Sequence, residues 1–296
     1  MCIRDRVRAA RMNASVTVAD KVKAFVQADL AQQPVILDAF VDYSHSPLLN
    51  LRVGQFQLPF GHENQISKFD LLATARSLMV GCLLNNGFSS PYVRDVGIML
   101  SGRRKLLEYK VAFVNGSGYS YSNRPWLDGD GVLMICGRDN DNSKDFVGRV
   151  GLGIPMFAGI GYSFYRGKWN VDSGQGDTDR TAHGFDFFVN AGKIVIEYEH
   201  LWATGRLDEI DQWKPVDYGG WYLLVGYRVK RFIQPVYKVD ICDPDKDTDG
   251  DLLMDQYLGV NLRVHPAARF QFFYKESSVA RHWRSCAFLA QVAARW

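Results

Sequence analysis

Side chains that could do acid–base or metal chemistry are present, but their spacing matches no catalytic pattern. His62 and Glu63 are adjacent, yet the second histidine of a His-Glu-x-x-His zinc helix is absent. No Gly-x-Ser-x-Gly elbow and no glycine-rich lysine loop that could cradle a phosphate occurs. We therefore expect neither an enzyme nor a cofactor. A barrel hydrolase with a cluster near one rim would need His62, His200 or His282.

The most metal-like segment is the acidic loop that runs from Asp243 to Asp251. Asp245, Asp247 and Asp249, followed by Gly250, resemble the opening of a calcium loop, in which alternate oxygens ligate a hard cation. Gln256 stands where such a loop needs a bidentate glutamate. An ordinary acidic surface loop is the favoured interpretation, and calcium at these three aspartates is the weaker candidate. The same holds for the Asp-Gly repeat at 128–131.

Charge and cysteine usage exclude several classes of protein. The formal net charge is only +3 and the basic residues are dispersed, which argues against a nucleic-acid partner. The five cysteines show no Cys-x-x-Cys and no metal-ligand spacing, so we interpret them as isolated small apolar residues. No stretch approaches the roughly 20 apolar residues of a membrane-spanning helix.

A two-residue hydrophobic period organises the chain. It favours strands with one face in water and the other in lipid or a core. Residues 1–6 join abruptly onto this pattern and are interpreted as a non-native scar, so residues 7–296 form a single predicted domain. The fifteen predicted strands are 7–18, 22–31, 35–44, 50–60, 92–102, 105–115, 144–154, 157–167, 181–190, 193–204, 217–228, 231–242, 255–264, 267–277 and 284–296.

Connections between these segments alternate between short turns and long polar loops. Short turns are predicted at 19–20, 102–104, 155–156, 191–192, 229–230 and 265–266. The longer connections are 61–91, 116–143, 168–180, 205–216, 243–254 and 278–283. A sandwich has no reason to place its long loops on alternate connections, whereas a bacterial transmembrane barrel does. We therefore predict an all-β transmembrane antiparallel barrel.

Strand parity adds two expectations. Bacterial barrels have an even number of strands, so fifteen segments imply sixteen in the full protein, with one N-terminal strand and an export signal missing here. The connection 61–91 then follows strand five. Its apolar residues, such as Leu71, Leu72 and Met79, have helix-like spacing and are too apolar for a solvated loop. We predict that this loop folds inward and constricts the lumen.

Two stretches of sequence resemble the phosphate-selective porin O and P family. They are the run from Leu51 to Asn64, which reads LRVGQFQLPFGHEN, and the run from Arg94 to Gly102, which reads RDVGIMLSG. Shorter similar pieces are Phe113–Gly116 and Ile233–Lys238. The resemblance extends from about residue 7 to the end. It implies a sixteen-stranded, trimeric outer-membrane porin of a Gram-negative bacterium, with phosphate or polyphosphate selected by lumen-facing Arg and Lys.

The alternation itself identifies the charges that would face the lumen. Inward acidic residues, among them Asp186, Glu197, Glu199 and Asp240, make the lumen mixed. Because Arg and Lys rings favour anions and acidic rings favour cations, the mixture predicts a mild anion preference. The predicted pore-lining residues for anion contact are Lys68, Arg76, Arg149, Arg263, Lys110, Lys238, Arg269 and Arg52.

These patterns lead to a functional prediction with one alternative. The prediction is a porin through which small anionic solutes such as phosphate diffuse passively, with outer-membrane lipid around it and two further copies of the chain as partners. The alternative is a binding protein, either a barrel whose lumen is plugged or a soluble β-sandwich. For any single charged residue, a solvated or ion-paired wall position is the simpler interpretation.

Overall fold

The computed structural model describes residues 7–31, 34–83, 94–116, 126–127, 133–134, 143–170, 177–205, 216–279 and 283–295. One antiparallel sheet of fifteen strands dominates it, and each strand pairs with the next one along the chain. The prediction of an all-β fold with fifteen strands is therefore confirmed. The Asp-Gly repeat at 128–131, His282 and Trp296 lie outside the described residues.

The elements follow one another in a simple meander. The sheet strands are β1 (Arg11–Ala19), β2 (Val22–Asp29), β3 (Val35–Ser46), β4 (Leu49–Gln57), β5 (Arg94–Arg104), β6 (Leu107–Val114), β9 (Asp145–Ile154), β10 (Ala158–Asn170), β11 (Asp177–Ala191), β12 (Ile194–Gly205), β13 (Val216–Tyr227), β14 (Ile233–Asp243), β15 (Leu253–His265), β16 (Ala268–Val279) and β17 (Trp283–Ala294). A separate two-stranded pair is formed by β7 (Trp126–Leu127) and β8 (Leu133–Met134). A short 3-10 helix (Glu63–Gln65) and helix α1 (Leu78–Leu83) lie between β4 and β5.

Burial alternates along the strands as the two-residue period predicts. In β10 the side of the strand that carries Ser163 and Tyr165 is buried, whereas Ile160, Tyr162 and Arg166 on the other side are exposed. Large apolar side chains recur on the exposed side of most strands, including Ile98, which is 50% exposed, and Phe272, which is 46% exposed. The buried side carries most of the charged strand residues, such as Asp186, Glu199 and Lys238. The sheet is therefore apolar outside and polar inside.

The short turns lie at one end of the strands, and the long connections lie at the other end. Several of these turns are tight because one residue adopts a left-handed backbone conformation. These residues are Lys21, Lys105, Met156 and Gly192, whose φ angles lie between 53° and 65°. The turn predicted at 102–104 is wrong, because β5 continues to Arg104 and the turn falls at Lys105 and Leu106. An ion pair across β5 and β6, between Arg103 and Glu108, extends the strands past the apolar pattern.

The two end strands approach each other without pairing. Within the described residues, β1 and β17 each have a single neighbour in the sheet. Arg8, just before β1, donates a hydrogen bond from Nη1 to Oε1 of Gln291 on β17 at 3.1 Å. The sheet is thus curled into an open barrel. The sixteenth strand remains a prediction.

The interior of the curl holds the first part of the β4–β5 connection, residues 58–83, which we call the inner loop. Leu58, Phe60 and Met79 of this loop are buried against wall residues such as Tyr165 and Leu201. The expectation that this connection folds inward agrees with these contacts. No helix in the described part of the chain is long and apolar enough to span a membrane.

Gly54 on β4 sets a testable constraint on this fold. Its φ of +132° is rarely adopted by other residues, and an added Cβ would lie 2.3 Å from the carbonyl oxygen of Ala39. We expect Gly54→Ala to lower the free energy of unfolding by about 2 kcal/mol, because backbone strain and the clash add. Chemical denaturation of the refolded protein would measure the loss.

The matched control for that substitution is Gly151→Ala on β9. A Cβ there would meet only the carbonyl oxygen of Ile160, at an ordinary contact distance of 3.6 Å. The free energy of unfolding of this control should change by no more than about 0.5 kcal/mol. Equal free energies of unfolding for the two variants would mean that the backbone conformation of Gly54 does not constrain β4.

Candidate functional site

Wall side chains capture the beginning of the inner loop by its backbone N–H groups. The carboxylate of Glu199 on β12 accepts from His62 N and from Glu63 N, both at 2.9 Å. The hydroxyl of Ser163 on β10 accepts from Gly61 N at 3.0 Å. Gly61 has a φ of +75°, which turns these successive N–H groups toward the wall. Successive N–H groups at the start of the loop therefore bind wall oxygens in the way that an anion-binding turn binds its ligand.

A buried ion pair ties the same part of the loop to β14. Lys238 Nζ lies 2.8 Å from Glu63 Oε1 and 4.5 Å from the centre of the Tyr222 ring, with its side chain 0% exposed. The second carboxylate oxygen of Glu63 accepts from Ser77 N at 2.6 Å. A charge buried this deeply requires a partner, and here the partner belongs to the loop.

Later residues of the loop are held by β13 to β16. Leu78 N, at the start of α1, donates to Asp240 Oδ2 at 2.6 Å, and Met79 packs where Gly220 of β13 has no side chain. Asn261 Nδ2 donates to Leu72 O at 2.9 Å. Gln271 Nε2 is 3.2 Å from both Leu71 O and Leu72 O. Each backbone group satisfied in this way avoids the cost of being buried without a partner.

Beside the docked start of the loop, a recess remains between the loop and the wall formed by β5, β6 and β9 to β11. Its volume is about 160 Å³. Lys110 and Arg149 lie directly opposite each other on β6 and β9, and both line the recess. The rest of its lining is His62, Gln65, Arg103, Leu106, Glu108, Gly151, Gly153, Pro155, Gly159 and Phe188, together with Leu152, Ile154 and Ile160, which are about half exposed.

Glycines of β9 and β10 make room for this recess. Gly151 pairs with Gly161, and Gly153 with Gly159, in adjacent positions on the inner face. A Cβ on Gly161 would lie 2.2 Å from the Arg149 guanidinium, and one on Gly159 would lie 2.9 Å from the Phe188 ring. The side chains of Arg149 and Phe188 therefore pack closely over glycine backbone. The wall is recessed because these positions lack side chains.

Ion pairs hold the basic groups of the recess in place. Arg149 Nη2 donates to Asp186 Oδ1 at 2.7 Å, and Nη1 contacts the other oxygen of that carboxylate. Lys110 Nζ lies 3.1 Å from Glu108 Oε1 and 3.4 Å from Gln65 Oε1. Burial lowers the pKa of His62, so its ring is neutral at pH 7 and adds no charge. The recess is predominantly basic and polar on one side.

The structure brings two of the eight predicted anion contacts, Lys110 and Arg149, into this recess. Lys238 is removed from the lumen by its pair with Glu63. Arg269 is buried 5.5 Å from the Phe69 ring of the inner loop. Both side chains therefore contact the inner loop, and their role in anion contact remains a prediction. The alternation predicted which face they lie on, but it carries no information about what covers that face.

The other four predicted residues are dispersed. Arg76 donates from Nη2 to Ile66 O at 2.6 Å and stabilises the fold of the loop itself. Arg52 is ion-paired with Asp42 at 2.7 Å on the inner wall. Arg263 is exposed near the turn end of β15. Lys68 is partly buried, and burial together with the nearby charge of Arg11 lowers its pKa to about 8. The role of these residues in anion contact remains a prediction.

Sequence reasoning missed the aromatic part of the recess and the anchoring role of the wall acids. Phe188 stacks on His62 with ring centres 4.8 Å apart, although the two residues are distant in sequence. Glu199 and Asp240 were predicted to face the lumen, but nothing local in the sequence shows that they accept hydrogen bonds from N–H groups of the loop. The sequence feature that points to the recess is the set of inward-facing glycines at 151, 153, 159 and 161.

The acidic loop after β14 uses its carboxylates internally. Asp245 Oδ1 accepts from Asp247 N at 2.9 Å, and Asp245 Oδ2 accepts from the Thr248 hydroxyl at 2.8 Å. Across the described ranges of the chain, no three His, Cys, Asp or Glu side chains are grouped as metal ligands. The calcium candidate at Asp245, Asp247 and Asp249 therefore gains no support from the geometry.

Comparison with solved structures defines the class of fold. No family model and no curated protein matches the sequence. The chain is similar to an anion-selective porin from Comamonas acidovorans, with a TM-score of 0.67, 11% identity and coverage of 96% of this chain and 86% of that one. The outer membrane channel DcaP of Acinetobacter baumannii gives a TM-score of 0.63 at 8% identity, covering 96% and 83%.

A third structure is OmpT, an outer membrane protein of Vibrio cholerae, in its trimer form. Its TM-score is 0.58 at 13% identity, with coverage of 96% of this chain and 88% of that one. At such identities the likeness shows the fold, which is the antiparallel barrel of porins. The narrower resemblance to the porin O and P family is not confirmed and stays a prediction.

Glu199 provides a direct test of how the loop is held. We expect Glu199→Gln to raise the rate of amide hydrogen exchange at His62 and Glu63 about tenfold, because an amide offers one acceptor to two N–H donors. Exchange measured by mass spectrometry on peptides that cover 58–77 would show it. Glu197→Gln, on the same face of β12 but without a hydrogen bond to the described loop, should leave exchange unchanged. Unaltered exchange in both variants would contradict the anchoring role.

Proposed function

We propose that this chain forms a water-filled pore in the outer membrane of a Gram-negative bacterium and lets small anions, phosphate among them, diffuse passively. The observation that carries the proposal is the combination of an apolar outer face with a polar interior that keeps a basic recess beside the docked inner loop. The following paragraphs give the support for each part.

The outer face supports a lipid environment. Val53, Ile98 and Phe113 are aligned across β4, β5 and β6, and all are substantially exposed. Water-exposed apolar patches on a soluble monomer rarely exceed a few hundred Å². Rows of such side chains around most of the sheet fit a hydrocarbon belt, where antiparallel barrel strands alternate apolar outside and polar inside.

The asymmetric position of the inner loop supports a pore rather than a plug. Most of the wall groups that bond its backbone lie on β10, β12 and β14 to β16. Its apolar side chains belong to a buried cluster that also includes residues of β5, β6 and β9, yet a recess of about 160 Å³ remains along β5, β6 and β9 to β11. A loop that leaves such a recess narrows a lumen without filling it. This arrangement favours conduction over the alternative of a non-conducting binding barrel.

The charges that remain along the recess support a preference for anions. Glu199 and Asp240 are occupied by loop N–H groups, and Glu63 is paired with Lys238. Among the described residues, Lys110, Arg149 and Arg103 line the recess together with one acidic residue, Glu108. Because Arg and Lys in a constriction favour anions, this distribution supports anion passage. A homotrimer is part of the proposal, supported by the trimer form of the Vibrio cholerae protein with the same fold.

Planar-bilayer recording tests the pore directly. We expect stepwise currents, with the reversal potential in a KCl gradient shifted toward anions. Lys110→Gln should lower the anion-to-cation permeability ratio about fivefold, corresponding to ~1 kcal/mol for a unit charge 4 Å from an ion in water. Lys193→Gln, in a short exposed turn, should keep the ratio. Absence of stepwise currents from the folded full-length protein would overturn the proposal.

The pH dependence of selectivity tests the contribution of Lys68. Because its pKa is lowered to about 8, Lys68 is charged at pH 7 and loses its proton as the pH rises to 9. The anion preference should therefore fall between pH 7 and pH 9, as read from reversal potentials. Lys68→Arg should reduce that fall, since a guanidinium stays charged throughout. A fall of the same size in Lys68→Arg would assign the titration to another group.

A further inference from the structure

We propose that the recess binds small organic anions with a flat apolar body, aromatic monocarboxylates first among them, more tightly than inorganic phosphate. This inference rests on the proposed pore and adds the class of solute that the recess selects. It is carried by the pairing of two opposed cations with an aromatic wall in one small space.

The cationic side of the recess fits a single carboxylate. Lys110 and Arg149 are direct partners in the β6–β9 ladder, where like charges destabilise a sheet unless acidic groups compensate them. Within the described residues, Asp186 compensates Arg149, whereas Lys110 and Arg103 share the single carboxylate of Glu108. One positive charge is left over, which matches one negative group on a solute.

The same recess also has apolar surface that a phosphate ion cannot use. Phe188 and His62 stack with an interplanar angle of 8°, and together with Leu106 and Pro155 they line the recess. An aromatic or aliphatic ring gains by packing on this wall, whereas inorganic phosphate would lose hydration there without compensation. The recess therefore offers one charged and one apolar contact to the same solute.

The size of the recess limits the solute to about one ring. Its volume of about 160 Å³ is below the ~300–1,000 Å³ usual for pockets that enclose drug-sized ligands. A site this small and open to the lumen binds weakly, as a pore requires, because a solute must leave as readily as it enters. The structure thus favours a transient stop along the pathway.

Benzoate and inorganic phosphate are suitable probes, each added at neutral pH to open channels that conduct chloride in a planar bilayer. We expect benzoate to reduce the single-channel current at a lower concentration than phosphate. Phe188→Ala should weaken the benzoate block about tenfold, with block normalised to the current of each variant. Phe187→Ala is the matched control, because Phe187 lies next in sequence but stacks on Tyr198 on the outer face.

Gly151→Val supplies a second, independent variant. It adds a side chain to the recess at a position where a Cβ would meet only the carbonyl oxygen of Ile160, at 3.6 Å, so it should also weaken the benzoate block while every charge stays in place. Equal block by benzoate and phosphate, or an unchanged benzoate block in both variants, would overturn the inference and leave the pore standing. A protein that opens no channels would overturn the proposed function and this inference together.

Discussion

The hydrogen bonds between the inner loop and the inner wall are the interaction on which the rest of the structure depends. A segment of irregular backbone inside a barrel exposes N–H and C=O groups that must find partners. Here Glu199, Ser163 and Asp240 accept from the N–H groups, and Asn261 and Gln271 donate to the carbonyls. The wall therefore needs polar residues at those positions, and the loop needs the wall in order to hold one conformation.

Most of the fold could be predicted from the sequence because one physical rule generates it. A strand with different surroundings on its two faces tends to alternate apolar and polar residues, and most sheet strands do so, as β10 illustrates. Predictions failed where other forces extend a strand beyond the apolar pattern. The Arg103–Glu108 pair carries β5 past its predicted end, and β3 reaches Ser46 before a short turn at Pro47 and Leu48.

The site was less predictable, because it consists of contacts between strands that are distant in sequence. Alternation correctly placed Lys110, Arg149 and Lys238 on the inner face, but it could not distinguish a lysine in the recess from one buried against Glu63. That difference depends on where the loop crosses the interior. The stacking of Phe188 on His62 depends on the same path and on Gly159, which leaves room for the ring.

The position of the loop also determines which wall charges the lumen contains. Counted along the sequence, the inner face is nearly balanced, but the carboxylates of Glu199 and Asp240 bind N–H groups of the loop, whereas Lys110 and Arg149 line a recess. The loop therefore covers these two carboxylates on one side of the interior. A change confined to the loop would therefore alter which wall charges are exposed in the interior, without a single substitution in the strands. The charges inside such a fold can change while its strands stay the same.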